Sequence, residues 1–260
     1  MSNPIFYYQH ITDSTITASA GSDADYPTDN LLDKLYETQW KSNDDSINQL
    51  LKIDFGSGIT RNMDHVVIGH HNFASLNLRY LTFSVSADGS AWTDQVVLDP
   101  GDITDPLVVN FSDPIARRYL GIYLDKEASD TLDAVPALGL VLSGLKFDAG
   151  YTHVFPYKAG NLQYATSRKR ALKGTLRTAQ VYGGIRTFEI KFESMPNVFK
   201  TDWLTFHQSV RGALNPFYFA DTDGSLYYVA LAADANDIET FRYQLNNSGA
   251  IQMEAQTTEE

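Results

Sequence analysis

The histidines are the side chains with the most direct capacity for metal binding or proton transfer, and their spacing favours neither. The chain has six of them, and none lies in a His-Glu-x-x-His motif or another spacing typical of metal ligands. If residues 65–71 form a strand, His65 and His71 share one face and His70 takes the other. These three side chains therefore do not converge on one ion.

Covalent catalysis and phosphate binding also lack their usual motifs. There is no Gly-x-Ser-x-Gly elbow, and the absence of cysteine excludes thiol nucleophiles, thiolate metal sites and disulfides. Gly56-Ser57-Gly58 is not followed by a helix pattern, which a phosphate-binding loop requires. Acid pairs such as Asp44-Asp45 lie in polar loops. We predict that the protein is not an enzyme; a glycosidase stays an alternative, because its two acids need only lie about 5–10 Å apart in space.

The composition is typical of a β-rich globular protein. Of 260 residues, 43% are hydrophobic and 20% charged, and fifteen Tyr and fourteen Phe suit half-buried strands. The first residues contain neither a basic segment nor an apolar one, and no apolar run approaches the ~18 residues of a membrane span. We expect a chain made in a reducing cytoplasm, with no membrane partner and no cofactor unless calcium binds.

The distribution of charge predicts two domains. Residues 1–150 contain 9 basic and 21 acidic residues, residues 151–200 contain 9 and 2, and residues 201–260 contain 2 and 9. The net charge changes sign near residue 150, in a segment without clear periodicity. We therefore place one domain at 1–150 and a second at 151–260.

The first domain has the pattern of an all-β fold. Alternation of apolar and polar residues, interrupted by turn signals such as Asp88-Gly89, predicts about eight strands and favours a β-sandwich or jelly roll. The longer predicted strands are Leu51–Phe55, Leu81–Ser86, Leu107–Phe111, Tyr119–Leu124 and Leu138–Phe147.

Five ordered motifs lie in residues 12–148. They are Ile16-Thr17-Ala18-Ser19, Asn30-Leu31-Leu32-Asp33-x4-Thr38-x-Trp40, Leu51-x-Ile53-Asp54-Phe55-Gly56, Phe83-x-Val85-Ser86-x-Asp88-Gly89-x2-Trp92 and Ala116-Arg117-Arg118-Tyr119-Leu120. Together they resemble the discoidin, or coagulation factor 5/8 C-terminal, domain, a galactose-binding-like jelly roll. The chain departs from that family at Lys34, where a glycine is usual, and in lacking the cysteines that tie the ends of some members.

The resemblance implies a glycan-binding loop and a possible calcium site. Family members bind sugars or lipid head groups with loops at one end of the sandwich, and the candidate loop here is His70, His71, Asn72 and Phe73, whose polar and aromatic side chains we expect to be exposed. A solvated loop or a subunit contact is the alternative. Trp92 is a further candidate, although we expect it to pack inward. Calcium could bind at Asp33 and Thr38; we prefer the interpretation that these two side chains cap the loop by hydrogen bonds.

The second domain is predicted to be a small β-sandwich or split barrel with one helix. Arg168–Val181 and Gly184–Glu193 have the patterns of strands. Phe199, Trp203, Phe206 and Val210 then form one apolar stripe, which predicts a helix over 197–211 with Asn197 as its N-cap. Strands Asn215–Ala220, Leu226–Ala232, Thr240–Leu245 and Ile251–Ala255 follow.

This domain resembles minor and distal tail proteins of long-tailed bacteriophages over residues 160–256, most specifically in the segment 212–221. The resemblance implies a ring at the tail end and neighbouring tail proteins as partners. A basic hairpin could pair with the acidic segment 201–260 of the same domain, or with an acidic surface on the next subunit of a ring. DNA in a ring lumen is the one role for nucleic acid that we retain. The residues predicted at this interface are Arg168, Lys169, Arg170, Lys173, Arg177 and Arg186.

Two functions follow from these expectations. The first is a structural virion protein of a tail tip or baseplate, localised in the virion tail and assembled in the host cytoplasm, with a ring-forming second domain and a peripheral carbohydrate-binding-like domain. The alternative is a carbohydrate-binding adhesin module that attaches to a host surface glycan.

Overall fold

The computed structural model shows a chain built mainly of β-strands. It describes residues 3–46, 48–126, 131–150, 158–163, 166–170, 176–180, 184–193, 196–211, 214–232, 238–240, 246–248 and 251–259. Contacts divide the chain into two units. We call Gln9–Lys146 the sandwich unit, and Met1–Tyr8 together with Phe147–Glu260 the helix unit.

Two antiparallel sheets form the sandwich unit. The five-stranded sheet has the order β2-β4-β9-β6-β7, and the four-stranded sheet the order β3-β10-β5-β8. The strands are β2 (Thr15–Ala18), β3 (Trp40–Lys41), β4 (Gln49–Asp54), β5 (Arg61–His71), β6 (Tyr80–Ser86), β7 (Trp92–Leu98), β8 (Leu107–Arg117), β9 (Tyr119–Asp125) and β10 (Ala137–Gly144). Short 3-10 helices span Thr28–Leu32, Phe73–Ser75 and Pro100–Asp102.

Strand alternation builds the core between these sheets. On β6 the side chains of Leu81, Phe83 and Val85 are buried in it, and β9 contributes Leu120 and Ile122. The four-stranded sheet supplies further core side chains from β5, β8 and β10. Because successive side chains on a strand point to opposite faces, the residues between these apolar ones lie on the outer face of the five-stranded sheet.

One large sheet carries the helix unit. Its order is β11-β1-β16-β17-β20-β15-β12, and two short ladders, β13-β14 and β18-β19, accompany it. The strands are β1 (Ile5–Tyr7), β11 (Phe147–Asp148), β12 (Lys158–Gln163), β13 (Thr166–Arg170), β14 (Leu176–Gln180), β15 (Gly184–Ile190), β16 (Phe217–Ala220), β17 (Leu226–Leu231), β18 (Ile238–Thr240), β19 (Asn246–Ser248) and β20 (Ile251–Glu259).

An aromatic cluster joins helix α1 (Asn197–Val210) to this sheet. The predicted stripe of Phe199, Trp203, Phe206 and Val210 is buried. The ring centroid of Phe206 lies 5.1 Å from that of Phe6 and 5.6 Å from that of Phe147. Pairs at these spacings add packing energy beyond the area that they bury. No helix in the described part of the chain is long and apolar enough to cross a membrane.

These findings confirm the all-β prediction, with α1 as the single α-helix of the described residues. Three local expectations were wrong. Pro196, not Asn197, is the N-cap, so the helix starts with Asn197 and runs to Val210, and Arg211 ends it in a left-handed conformation with φ 50°. The predicted strand Arg168–Val181 is two strands, β13 and β14, which pair with each other.

The third difference concerns the N-terminus, where the sequence placed residues 5–11 in the first domain. β1 instead pairs with β11 and β16, and the buried side chain of Phe6 lies among the aromatic residues of the helix unit. The contacts place the division of the chain at residues 146 and 147, whereas the change of charge placed it at residue 150.

The Phe6→Ala substitution is expected to destabilise the helix unit. It removes a buried ring at the centre of the aromatic cluster and leaves a cavity, which costs about 3–5 kcal/mol for a phenylalanine. Hydrogen exchange of α1 peptides should accelerate by the factor that this loss of stability implies, while β5 peptides of the sandwich unit keep their protection. Val198→Ala is the control, because Val198 is 69% exposed on the same helix. Equal protection of α1 in both variants would contradict the expectation.

Candidate functional site

The predicted glycan-binding loop is less exposed than its sequence indicated. His70 and His71 are the last residues of β5, and Phe73 opens the 3-10 helix Phe73–Ser75. Phe73 is 1% exposed and belongs to the sandwich core, where a large apolar side chain is most stable. The side chain of His71 is buried as well. The expectation of exposure is therefore wrong for His71 and Phe73, and neither side chain is available to stack on a sugar.

His71 holds the loop by backbone hydrogen bonds. Its Nε2–H donates to the carbonyl of Thr104 at 2.9 Å, and its Nδ1 accepts the N–H of Phe73 at 3.2 Å. This pattern requires the neutral ring. Burial lowers the pKa of His71, against the opposing effects of Asp105 and the Thr104 carbonyl. His71 thus fastens the end of β5 to the loop that precedes β8.

Asn72 connects the same loop to the start of β10. Its Nδ2 donates to the carbonyl of Val135 at 2.8 Å, and its Oδ1 accepts the N–H of Ala137 at 2.9 Å. Both ends of the amide are therefore used in positioning the backbone.

His70 is held in a conformation that few non-glycine residues adopt, with φ 57°. Its backbone N–H donates to Asp105 Oδ1 at 2.8 Å, and its ring Nδ1–H donates to the Tyr36 carbonyl at 2.7 Å. The ring also stacks on that of Tyr36, with centroids 5.1 Å apart and planes 5° apart. A Cβ added to Gly139 would come within 2.9 Å of the His70 Cβ, so the close approach requires glycine.

We call Tyr36, Gln39, His70 and Asp105 the loop-end cluster. Gln39 Nε2 donates to the His70 carbonyl at 3.2 Å, which supports the turn from a second side. Because Nδ1 of His70 is the donor to Tyr36, Nε2 of the neutral ring is an acceptor, and no described residue forms a hydrogen bond to it. The side chain of Asp105 is 36% exposed. Burial raises the pKa of Tyr36, and the charge of Asp105 adds to that shift.

The cluster can accept hydrogen bonds from hydroxyl groups through the His70 ring and the Asp105 carboxylate. Sequence reasoning found His70 but missed Tyr36 and Asp105. Their contacts with His70 span more than thirty residues in sequence. A local pattern of residue types contains no signal for such a pairing.

Asp33 and Thr38 form the hydrogen-bonded cap of the preferred interpretation. Thr38 Oγ1 donates to Asp33 Oδ2 at 2.8 Å, and the N–H of Leu35 donates to Asp33 Oδ1 at 2.8 Å. No group of three or more His, Cys, Asp or Glu in the described residues could hold a metal. One carboxylate and one hydroxyl fall short of the six to eight oxygens that calcium takes. Calcium binding here stays a prediction that would need backbone carbonyls or water as further ligands.

The remaining candidate residues lie apart from this cluster. Trp92 does not pack inward: it lies on β7 opposite Ser86, on the outer face of the five-stranded sheet, and its ring contacts Gly121. Arg186 of β15 lies over Tyr227, 5.5 Å from the ring centroid. Of the other residues of the predicted assembly interface, Lys173 lies outside the described residues, and β13 and β14 carry Arg168, Lys169, Arg170 and Arg177.

Comparison with known families supports the first resemblance. Residues 15–133, all within the sandwich unit, match the F5/8 type C domain. The discoidin-type part of the prediction is thereby confirmed, whereas the resemblance to tail proteins stays a prediction. No curated protein matches the chain.

Several solved structures have a fold similar to about half of the chain. One is chitosan-binding module 1 of a chitosanase/glucanase from Paenibacillus sp. IK-5, with 15% identity and a TM-score of 0.43 over 52% of this chain and 98% of that chain. Another is CpGH89CBM32-5 from Clostridium perfringens in complex with GalNAc-β-1,3-galactose, with 10% identity and a TM-score of 0.44 over 53% and 99%. A third is the family 32 CBM of C. perfringens NanJ in complex with galactose, with 14% identity and a TM-score of 0.42 over 55% and 99%.

The stability of the sandwich unit is expected to fall as the pH drops from about 7 to about 5. Burial lowers the pKa of both His65 and His71 in the folded state, so the unfolded chain takes up protons first. The stability that the neutral rings contribute is complete above their unfolded pKa of about 6.5 and is lost as the pH falls towards the folded pKa.

The His71→Gln variant tests this expectation. It removes one of the two titrating rings, so the free energy of unfolding should depend less steeply on pH, by up to about 1.4 kcal/mol per pH unit. Hydrogen exchange of β5 peptides at several pH values measures this. Identical slopes for the variant and the wild-type protein would show that His71 does not contribute.

Proposed function

We propose that the sandwich unit binds a carbohydrate at the loop-end cluster, without catalysing a reaction. The observation that carries the proposal is the fixed turn at His70: its backbone N–H bonds to the partly exposed carboxylate of Asp105, and its ring bonds to Tyr36 through Nδ1, which leaves Nε2 as an acceptor. Acceptors of this kind suit the hydroxyl groups of a sugar. The match to the F5/8 type C domain over the same unit agrees with a binding role.

The cluster has the rigidity that such a site needs. His70 is fixed at its backbone, at Nδ1 and over the face of Tyr36, while His71 and Asn72 hold the flanking backbone. A non-glycine residue in the left-handed region persists only where its surroundings hold it, and such positions concentrate at functional sites. A ligand would therefore meet acceptors that are already in place, which lowers the entropy lost on binding.

Glycan-array binding followed by calorimetry on the full chain tests the proposal. His70→Ala should weaken binding of the selected glycan at least about tenfold, because it removes a hydrogen bond made in a partly dry site. Asp105→Asn should weaken it less, because the amide retains one oxygen acceptor. Asp113→Asn, a change at an exposed acid of β8, should bind like the wild-type protein.

Two results would contradict the proposal. One is full affinity in the His70→Ala variant with a correctly folded chain, shown by an unchanged melting temperature. The other is release of shorter sugars from a bound oligosaccharide, which would make the unit catalytic.

The ring-forming function stays a prediction. The antiparallel ladder of β13 and β14 pairs Lys169 with Arg177, and an acidic surface of a second copy would offset this like-charge pair. Mass photometry of the purified chain, with and without about 1 M salt, measures the outcome. A ring held by charge should appear at low salt and dissociate at high salt, because salt screens exposed charges. A monomer under all conditions would contradict self-assembly of the isolated chain.

A further inference from the structure

The outer face of the five-stranded sheet carries a groove that is separate from the loop-end cluster. Its volume is about 450 Å³, and it shares no residue with that cluster. Aromatic and acidic side chains from β6, β7 and β9 dominate its lining, namely Tyr80, Trp92, Tyr123, Asp94 and Asp125. Tyr80, Tyr123 and Asp125 are on this face because their sequence neighbours Leu81, Ile122 and Leu124 fill the core.

A glycine gives Trp92 its place in the groove. A Cβ added to Gly121 would lie 2.8 Å from Cζ3 and 3.2 Å from Cε3 of the indole, so the ring occupies the space above this glycine. The ring centroid of the indole is also 6.5 Å from that of Tyr119. Trp92 is nevertheless partly exposed, while the two other tryptophans, Trp40 and Trp203, are 1% exposed. An aromatic ring that is both fixed and accessible is suited to stacking on a flat ligand.

Acceptors lie along the groove. Ser84 Oγ donates to Asp94 Oδ1 at 2.6 Å, which orients that exposed carboxylate in the groove lining. Asp125 lies opposite Tyr80 in the strand register, and Thr82 lies opposite Tyr123. The lining contains two carboxylates and no basic side chain. It therefore favours ligands that donate hydrogen bonds and disfavours anionic ones.

The two central strands under the groove cannot pair with an added strand. β6 is bonded to both β7 and β9, and β9 is bonded to both β4 and β6. A peptide could add a strand only at the outer edge of β7, the last strand of this sheet, and not within the groove. The groove extends along β6 from Ser86, which pairs with Trp92, to Tyr80. These two positions on β6 are six residues apart, which corresponds to about 20 Å. This length accommodates a chain of several units.

We infer that this groove binds a neutral or amino-sugar oligosaccharide, with Trp92 stacking on one ring and Asp94 and Asp125 accepting hydrogen bonds from hydroxyl or amino groups. The inference is independent of the function proposed for the loop-end cluster. The groove would be a second sugar-binding site of the same unit, and sugars that carry carboxylates would be excluded from it.

Acrylamide quenching of tryptophan fluorescence in the full chain tests the inference. Trp92 is the partly exposed tryptophan, so a ligand in the groove should protect the accessible part of the fluorescence. The probes are chito-, cello- and galacto-oligosaccharides, with oligogalacturonate as the anionic comparison and a mixture of lysine-rich peptides as the competing ligand class. Protection by at least one of the first three, and none by oligogalacturonate, is the expected result.

Variants then assign the site. Trp92→Ala and Asp125→Asn should each weaken binding of the protecting oligosaccharide at least about tenfold in calorimetry, and Asp113→Asn should leave it unchanged. Asp125→Asn keeps the shape of the side chain, so its effect does not depend on whether the Trp92 variant folds. A ligand whose binding is lost only in the His70→Ala variant binds at the loop-end cluster and not in the groove. The variants therefore test the two proposed sites separately.

Three outcomes would overturn the inference. The first is that no neutral or amino-sugar oligosaccharide protects Trp92. The second is equal affinity in the wild-type, Trp92→Ala and Asp125→Asn proteins. The third is protection by the lysine-rich peptides alone.

Discussion

The sandwich unit depends on the alternation of side chains along β6 and β9. Phe83 and Ile122 are at most 1% exposed in the core between the two sheets. Each fully buried apolar side chain of this size contributes about 1.5–3 kcal/mol, so a one-residue slip of either strand is strongly opposed. That fixed register also decides what the other face presents. The polar and aromatic groove on the outer face is thus a geometric consequence of the core.

Both candidate sites use the space that a missing Cβ leaves. Gly121 makes room for the indole of Trp92, and Gly139 makes room for His70 and the carbonyl of Thr38. In each case a candidate ligand-binding side chain lies against the sheet instead of extending into solvent, and less side-chain entropy would be lost on binding. The two sites differ in what fixes them. His70 is held by hydrogen bonds to its backbone and ring, whereas Trp92 is held by packing.

Much of the fold could be predicted from local patterns, because the core of each unit has a clear period. The alternation of Leu81, Phe83 and Val85 identified β6, and the stripe from Phe199 to Val210 identified α1. The direction of Trp92 could not be predicted, because the pairing of β6 and β7 shifts register between Phe83 and Ser84. If side chains alternated without interruption from Val96, which faces the core, Trp92 would also face the core. The extra residue of the bulge in β7 instead places Trp92 on the outer face.

The candidate site was predictable only in part, and His70 and His71 show why. The two are neighbours of the same type at the end of one strand, and the sequence gives both the same capacity for binding. Their environments differ through partners that local sequence does not reveal. Thr104 and the N–H of Phe73 use both ring nitrogens of His71, which makes it a support.

His70 is turned the other way by its positive φ, and Tyr36 uses one ring nitrogen and covers one face. What remains is one ring nitrogen, so the same residue type becomes a support at one position and a candidate ligand-binding group at the next. The difference comes from the loops that reach the end of β5, and those contacts exist only once the two sheets have paired. A binding role at this end of the sandwich therefore has to be assigned from the folded loops.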